Sequence, residues 1–497
     1  NRFLGRSSAL IGLIVASLIF YGWWNPPYIL LIGGSIVVNF TLGIFLMHSR
    51  SKAILALAII FNLLLLGYYK YAQFFTDIVY STFDMKISTG GILLPLAISF
   101  FTFQQIAYQV DVYDGKIRTK NFAHYALFVS FFPQLIAGPI IHHREITPQF
   151  KRDTTFKFTA ADLSAGTVIF VIGLFKKVVV ADGLAPYTDT LFNAVPLHPT
   201  LIDAWAGTLA YGFQIYFDFS AYTDMAMGLA LLFGIRLPLN FFSPYKAVNI
   251  IDFWRRWHMT LSRFLRDYLY IPLGGNRKGR QRRYINLFIT MLLGGLWHGA
   301  SWTFIVWGGL HGLYLVVNHA WRRVRLICGA DLDHTTLFGR NVSRFVTFLA
   351  VSVAWVFFRA ENFTDAFAII TGMSGLNGVV LPISLSDALI GSKFGLTAGE
   401  TVLNDPVLFL WLGILLAVVW FAPNTQELTA GWQPALPPDN PEIAGALEKA
   451  RLKTMEPSRL EPRRDWLMSC AITIGLVCLL IAAYRGGDTS EFIYFAF

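Results

Sequence analysis

The sequence predicts an all-α, multi-pass integral membrane protein. Hydrophobic residues make up 55% of the chain and charged residues 14%, with a mean hydropathy of +0.53, whereas soluble domains carry about 25% charged residues. The net charge of +10 resides largely in short Lys and Arg clusters between apolar runs. This pattern is typical of positive-inside topology. We therefore expect membrane lipids around the protein and no nucleic-acid partner.

The apolar runs predict the membrane segments in order, because crossing a hydrocarbon core of about 30 Å takes roughly 20 helical residues. The predicted segments lie near 8–24, 28–47, 53–71, 91–112, 122–141, 161–180, 201–217, 219–234, 285–299, 301–320, 342–358, 406–422 and 466–484. Several are short or contain polar groups. We therefore expect some broken or re-entrant helices, which the bilayer tolerates only where protein covers the backbone or water fills a cavity. Residues 1–497 are interpreted as one membrane domain.

The basic clusters predict the orientation. Those expected at the cytoplasmic face are Arg50/Lys52, Lys116/Arg118/Lys120, the run 277–283 and Arg322/Arg323/Arg325. Residues 375–405 carry an excess of acidic groups and are expected on the far side. Residues 423–465 predict a cytoplasmic segment with a short helix near 441–453, before a C-terminal transmembrane helix at 466–484.

Residues 236–300 are the least lipid-like part of the apolar core, because the stretch from Pro244 to Gly275 mixes many charges with aromatic residues. A charge at mid-bilayer costs about 2.5–3.5 kcal/mol on insertion scales, so we expect an interfacial or re-entrant segment. If this stretch is helical, one face presents Arg255, His258, Ser262 and Arg266. That face can bind an anionic, partly apolar ligand. The alternative is an interfacial anchor with snorkelling arginines.

Two histidines lie in aromatic frames, at the ends of Trp254-Arg255-Arg256-Trp257-His258 and Leu296-Trp297-His298. An imidazole exchanges a proton near neutral pH, so a pair at membrane depth is a candidate for acid–base chemistry. Residues 285–320 read as helix, with His298, Ser301 and Trp302 on one stripe and His311 on the opposite side. The alternative for each histidine is a hydrogen-bonded packing residue.

Two polar stripes are predicted to point inward. One carries Tyr211, Gln214, Asp218 and Tyr222, and its buried Asp218 needs a partner, which we expect from Arg or His in 254–267. The other carries Ser99, Thr102, Gln105 and Gln109. Such stripes can line a polar path, or they can hydrogen-bond helices together.

Several chemistries lack their motifs in this sequence. It contains no phosphate-binding loop, dinucleotide glycine fingerprint, HExxH or GxSxG motif. The three cysteines form no CxxC pair, and adjacent His142 and His143 in a loop are more often solvated than metal-bound. We therefore expect group transfer without a nucleotide or a metal site.

Four motifs resemble the membrane-bound O-acyltransferase superfamily, and most closely its bacterial branch of alginate O-acetyltransferases and teichoic acid D-alanyl transferases. They are residues 252–262, the run 216–222, Gly138-Pro139-Ile140, and Gly295-Leu296-Trp297-His298-Gly299-Ala300. The resemblance implies a helical ring with re-entrant helices around a central tunnel. It also implies that His298 is the catalytic residue and that His258 occupies a position that carries His or Asn. Relatives usually have a further apolar segment upstream, so we expect that this start is truncated.

The residues also fit acyl transfer chemically, since it needs a base for the hydroxyl proton and a donor for the oxyanion. His298 would be the base, and His258 would orient the acyl carbonyl or stabilise charge. The expected donor-binding or tunnel-lining residues are Trp254, Arg255, Arg256, Ser262, Arg266, Asp218, Tyr222, Gln214, Trp297 and Trp302.

No bound cofactor is expected. Acetyl-coenzyme A is the expected donor, and Arg255, Arg256, Arg266 and the run 277–283 are expected to hold its phosphates. The resemblance implies location in a bacterial inner membrane and O-acetylation of an exported polysaccharide such as alginate. It also implies a periplasmic acetyltransferase partner and export machinery. The alternatives are D-alanyl or other acyl transfer to an envelope polymer, and a non-enzymatic transporter or channel.

Overall fold

The all-α prediction is confirmed. The computed structural model describes residues 5–85, 91–136, 138–152, 155–157, 159–193, 198–329, 331, 336–382, 397–399, 401–455, 464–484 and 492–493. Within these ranges the regular structure is helical, apart from the short parallel strands β1 (Val380–Pro382) and β2 (Thr397–Gly399). Among the described helices, five are long and apolar enough to cross a membrane: Arg6–Trp24, Tyr28–Ser49, Lys52–Phe83, Ala160–Phe192 and Leu337–Arg359. The predicted segments 375–405 and 423–465 lie partly outside the described residues.

The N-terminal half consists of long helices joined by short irregular segments. Its helices are α1 (Arg6–Trp24), α2 (Tyr28–Ser49), α3 (Lys52–Leu66), α4 (Ala72–Phe83), α5 (Ile98–Tyr113), α6 (Phe122–Ser130), α7 (Phe132–Leu135), α8 (His143–Ile146), α9 (Ala160–Phe175), α10 (Asp182–Phe192) and α11 (Leu201–Leu232). Two of the long helices contain a π-helical turn, Gly67–Tyr71 between α3 and α4 and Lys176–Ala181 between α9 and α10. Such turns are often found at functional sites.

The C-terminal half begins with short helices and returns to long ones. They are α12 (Ile250–Trp254), α13 (Met259–Leu265), α14 (Gly279–His298), α15 (Trp302–Ile327), α16 (Leu337–Arg359), α17 (Phe363–Met373), α18 (Pro406–Phe421), α19 (Thr425–Leu428), α20 (Pro441–Met455) and α21 (Arg464–Tyr484). A further π-helical turn, Arg266–Tyr270, follows α13.

Polar side chains set many of the helix starts. Asn121, Thr159, Thr200, Asn249 and Ser301 each accept a hydrogen bond from a backbone N–H in the first turn of the following helix. A capping side chain of this kind satisfies a donor that has no intrahelical partner, and its loss typically costs about 1 kcal/mol. The helix boundaries are therefore encoded locally.

Two predicted span boundaries were wrong. The segments 201–217 and 219–234 form the single 32-residue helix α11, because Asp218 is paired inside the protein and does not interrupt the backbone. The segment 122–141 stops being one helix after Ser130, where Pro133 follows in a separate short helix. The boundary between the predicted spans 285–299 and 301–320 is confirmed, because α14 ends at His298 and α15 begins at Trp302, whereas the interpretation of 285–320 as one helix was wrong.

Helix α11 joins the two main groups of buried residues, with buried side chains from Asp203 to Leu231. Its close approach to α9 depends on glycine. A Cβ atom on Gly166 would lie 2.7 Å from the carbonyl oxygen of Gly228, and one on Gly228 would lie 2.6 Å from that of Gly166. Small residues at such crossings let membrane helices pack at backbone contact.

Most of the predicted stripe on α5 joins helices. The Gln105 side chain donates to Ser35 Oγ at 2.9 Å, and that of Gln109 donates to the Asn39 carbonyl at 2.7 Å. The Tyr125 hydroxyl donates to Gln105 Oε1 at 3.1 Å. These bonds connect α2, α5 and α6, so helix association explains this part of the stripe.

Helices α14 and α15 cross at two glycines. A Cβ atom on Gly295 would lie 2.3 Å from the Phe304 carbonyl oxygen, and one on Gly308 would lie 2.3 Å from the Met291 carbonyl oxygen. These contacts involve backbone, which cannot move aside as a flexible side chain can. The crossing therefore fixes how the end of α14 meets α15.

We predict that Gly308→Ala destabilises the protein by about 1–3 kcal/mol, because the added methyl group forces the two helices apart. Gly309→Ala is the matched control, since its Cβ atom would lie 3.5 Å from the nearest neighbour, a side-chain carbon of Leu292. Thermal unfolding of the detergent-solubilised proteins measures both. Equal unfolding midpoints for the two variants would contradict the close crossing.

Candidate functional site

His298 is the last residue of α14 and lies inside the protein, with 3% of its surface exposed. The chain leaves the helix through extended backbone at Gly299 and starts α15 at Trp302, capped by Ser301. The His298 ring packs against Trp307 and Phe358, at centroid distances of 5.0 Å and 5.1 Å. The histidine thus sits at a helix break within an aromatic shell.

A cavity of about 520 Å³ reaches His298. Its wall is mainly apolar and aromatic, and its lining residues are Phe20, Trp23, Trp24, Lys70, Leu93, Leu94, Pro95, Leu96, Ala97, Ile98, Ser99, Phe100, Ile136, Trp297 and His298. An apolar pocket with a few convergent polar groups is the usual form of a small-molecule site. Of the predicted tunnel-lining residues, Trp297 lines this cavity. Trp302 is half-exposed and packs on Phe74 instead.

His258 is fully buried and starts α13 with left-handed backbone, φ +41°. Its Nδ1 lies 3.0 Å from Asn240 Oδ1, which also accepts hydrogen bonds from the Thr260 hydroxyl at 2.8 Å and the Thr260 backbone N–H at 3.3 Å. The Asn240 amide nitrogen contacts Thr223 Oγ1 at 3.4 Å. This network assigns Oδ1 as the acceptor facing His258. The proton of neutral His258 is thereby placed on Nδ1 and the lone pair on Nε2.

Trp297 brings the two predicted histidines together. Its ring centroid lies 5.0 Å from that of His298 and 6.3 Å from that of His258. Phe103 stacks on Trp297 at 5.0 Å and on Phe264 at 4.0 Å, which holds the indole in place. The two predicted histidines therefore contact one shared aromatic ring.

The predicted helical face of Arg255, His258, Ser262 and Arg266 does not exist. Helix α12 ends at Trp254 and α13 begins after His258, so these side chains do not share one helical register. The helix break could not be predicted, because His258 has left-handed backbone but is not a glycine.

The arginines of this stretch have carboxylate neighbours or face outward. The Arg256 guanidinium pairs with Asp252 at 2.6 Å, and that of Arg266 pairs with Asp267 at 2.7 Å, which raises the pKa of Arg266. Arg255 is exposed. Trp254 donates to His311 Nδ1 at 3.2 Å, and Ser262 Oγ lies 3.5 Å from the Trp257 carbonyl. None of these three arginines is among the residues that line the cavity at His298.

Asp218 is paired, but not with the predicted partner. Lys177 Nζ lies 2.9 Å from Asp218 Oδ1 and 2.9 Å from Asp182, and the Ile493 backbone N–H donates to Asp218 Oδ2 at 2.9 Å. The π-helical turn 176–181 places Lys177 against α11. A cation from a neighbouring long helix thus stabilises the buried carboxylate, instead of one from 254–267.

The stripe on α11 lies beside the site rather than in the cavity. Gln214 is buried, and the Tyr222 ring packs on Phe492 at a centroid distance of 4.1 Å. Phe219 contacts both Phe492, at 5.9 Å, and His258, at 4.7 Å. The Phe219 ring therefore lies between His258 and Phe492 and contacts both.

Three other histidines differ from the sequence predictions. His311 lies on α15, not on the helix of His298, and both rings contact Trp307. His142 and His143 are buried rather than solvated; Tyr268 lies 2.9 Å from His142 Nδ1, and His143 packs on Tyr108. In the described part of the chain, no group of three or more His, Cys, Asp or Glu side chains forms a metal site.

Sequence reasoning missed Lys70 and Asn240. Lys70 Nζ donates to the Trp297 carbonyl at 2.6 Å, the His298 carbonyl at 3.0 Å and Ser99 Oγ at 3.3 Å. Its position in the sequence could have identified Lys70, because an ionisable residue inside an apolar membrane segment is by itself a reason to predict a functional site. Asn240 had no comparable signal, because its contact with His258 arises from the fold.

The chain matches known proteins over most of its length. Residues 116–358 match the family described as MBOAT, membrane-bound O-acyltransferase family. The chain is 46% identical over 399 residues to a peptidoglycan O-acetyltransferase of Helicobacter pylori, covering 74% of each. It is 37% identical over 508 residues to a probable alginate O-acetylase of Pseudomonas aeruginosa, covering 98% of this chain and 94% of that protein. A teichoic acid D-alanyltransferase of Streptococcus thermophilus is 26% identical over 295 residues, covering 54% of this chain and 69% of that protein. The chain is therefore a member of the membrane-bound O-acyltransferase family, an integral membrane O-acyltransferase of its alginate O-acetylase-like branch.

Proposed function

We propose that this enzyme transfers an acetyl group from cytoplasmic acetyl-coenzyme A across the bacterial inner membrane for O-acetylation of an exported polysaccharide such as alginate. The observation that carries the proposal is the convergence of buried His258 and His298 on Trp297, with His298 lining a cavity of about 520 Å³. A periplasmic acetyltransferase and the polymer export machinery are the partners that fit this reaction.

His298 acts as the general base in this proposal. Its ring nitrogen takes the proton of the acceptor hydroxyl while the hydroxyl oxygen attacks the acetyl carbonyl carbon. The new C–O ester bond forms, the thioester C–S bond breaks, and the leaving thiolate takes the proton from the imidazolium. A positioned base of this kind is worth about 10²–10⁴-fold in rate.

His258 suits the task of orienting the acceptor hydroxyl. With Asn240 accepting from Nδ1, neutral His258 presents an Nε2 lone pair. A lone pair accepts a hydrogen bond from a hydroxyl but does not donate one to an acyl carbonyl. This tautomer therefore favours orientation of the hydroxyl over polarisation of the carbonyl.

Acetyl transfer is favoured over D-alanyl transfer by the comparisons. The relatives named for O-acetylation match at 46% and 37% identity, whereas the one named for D-alanyl transfer matches at 26% over 54% of this chain. A transporter or channel is disfavoured because the family is an acyltransferase family.

The basic run 277–283 is the more suitable site for the phosphates of the donor. Arg280 and Arg282 are exposed, whereas Arg256 and Arg266 already lie against Asp252 and Asp267. Exposed cations bind phosphates mainly through charge, and salt screens such an interaction.

We predict that His298→Ala abolishes polymer O-acetylation at an unchanged protein level, and that His258→Ala lowers it strongly but leaves a residue. The O-acetyl content of polymer from complemented deletion cells measures this. His311→Ala is the matched control, since His311 is equally buried but packs on Trp254 and Trp307 instead of Trp297, the ring that His258 and His298 share. Near wild-type O-acetylation in His298→Ala cells would refute the assignment.

We predict that Asn240→Ala lowers kcat by at least about tenfold, because His258 loses the acceptor that fixes its tautomer and ring orientation. Asn240→Asp retains an acceptor and is expected to keep more activity. Labelled acetyl transfer to endogenous polymer in membrane vesicles measures both variants. Equal rates for Asn240→Ala and wild type would contradict the tautomer argument.

We predict that the triple variant of Arg280, Arg282 and Arg283 to Gln raises the KM for acetyl-coenzyme A and flattens its salt dependence. Three changes are combined because a single charge at the surface contributes less than about 1 kcal/mol; Arg280 and Arg282 are exposed, and Arg283 is partly exposed beside His319. The control is Arg322, Arg323 and Arg325 to Gln, which removes as many cations from another basic cluster. An unchanged donor KM in the first variant, at intact topology, would exclude the run from the donor site.

A further inference from the structure

We propose that Lys70 is a positioning residue for the reaction: by capping the C-terminal end of α14 it holds the His298 ring at the cavity. This inference rests on the role proposed above for His298. Lys70 belongs to the helix Lys52–Phe83, which is long and apolar enough to cross a membrane. A cation placed there is costly, so its contacts have to compensate.

The end of α14 creates the need for such contacts. The last four carbonyl groups of a helix have no intrahelical donor, and burying them unpaired is unfavourable. Lys70 Nζ donates to the carbonyls of Trp297 and His298, and the Tyr71 hydroxyl donates to the Leu296 carbonyl at 2.7 Å. Three successive carbonyls are therefore capped by a neighbouring helix.

Both capping residues, Lys70 and Tyr71, belong to the π-helical turn Gly67–Tyr71. Neighbouring side chains of a regular α-helix point about 100° apart, whereas a π turn alters this register locally. Positive charge at a helix C-terminus also interacts favourably with the helix dipole. The two caps therefore come from one local departure from α-helix and reach the last turn of α14.

Lys70 also shares the cavity with His298. Both line it together with Ser99, whose hydroxyl oxygen accepts from Lys70 at 3.3 Å, and the Lys70 ammonium lies 5.7 Å from the centre of the Trp297 ring. Lys70 thereby ties the cavity wall on α5 to the backbone of both Trp297 and His298. Removing it frees the residue that performs the chemistry while leaving most of the cavity wall unchanged.

The test compares Lys70→Met with Tyr71→Phe, which removes the neighbouring cap but not the bonds to Trp297 and His298. Membrane vesicles from polymer-producing cells receive acetyl-coenzyme A labelled in the acetyl group, and transfer to polymer is measured against donor concentration. We expect Lys70→Met to lower kcat about tenfold to a hundredfold with little change in KM, because small misplacements of a reacting group cost that much. Tyr71→Phe is expected to lower kcat less. Equal kcat for Lys70→Met and wild type, or an equal loss in Tyr71→Phe, would overturn the proposal.

A second variant keeps the test decisive if Lys70→Met does not accumulate. Lys70→Cys is expected to be slow, and treatment with 2-bromoethylamine restores a side chain of nearly the same length with a terminal amine. Wild-type protein treated in parallel controls for Cys328, Cys470 and Cys478. Recovery of kcat supports positioning by the amine, and no recovery after complete modification, checked by mass spectrometry, contradicts it. His298→Ala in the same assay separates the two hypotheses. Activity of His298→Ala refutes the proposed function. An inactive His298→Ala variant together with a wild-type kcat in Lys70→Met refutes only the role of Lys70.

Discussion

A helix that ends inside an apolar protein must have its last carbonyl groups paired, and the site is organised around this constraint. Helix α14 ends at His298, within the aromatic shell of Trp297, Trp307 and Phe358. Lys70 and Tyr71 supply the missing donors from another helix. Trp297 and His298, whose carbonyls Lys70 caps, also line the cavity. The contacts that complete the helix end therefore also hold the residues to which we assign the chemistry.

Pairing also accounts for two other polar networks of the interior. Lys177 pairs with Asp182 and Asp218, and Asn240 supports His258. A buried ion pair adds little stability by itself, but removing one partner leaves an uncompensated charge and is costly. These networks therefore fix the arrangement of helices around α11, and with it the relative placement of the two histidines.

Much of the fold and part of the site could be predicted from the sequence. The apolar runs gave the all-α membrane class, and the frames of His258, Trp297 and His298 identified three residues that the structure brings together. Arg255 and Arg266 were wrongly placed on one face with His258, because the break at His258 uses left-handed backbone without glycine or proline. Residues far apart in sequence were the harder case. The contact of Lys70 with the end of α14 depends on how two helices meet, which hydrophobic periodicity does not encode.

The central claim is that acyl transfer takes place in the cavity that Lys70 and His298 line, and blocking that cavity tests it most directly. Leu94 lines the cavity, whereas Phe75 is exposed on the outer surface of α4. A cysteine at either position, in a background without the three native cysteines, can be modified with a bulky maleimide before transfer of labelled acetyl is measured in membrane vesicles. The account predicts that modification at position 94 stops transfer and that modification at position 75 does not. Undiminished transfer after complete modification at position 94 would contradict it.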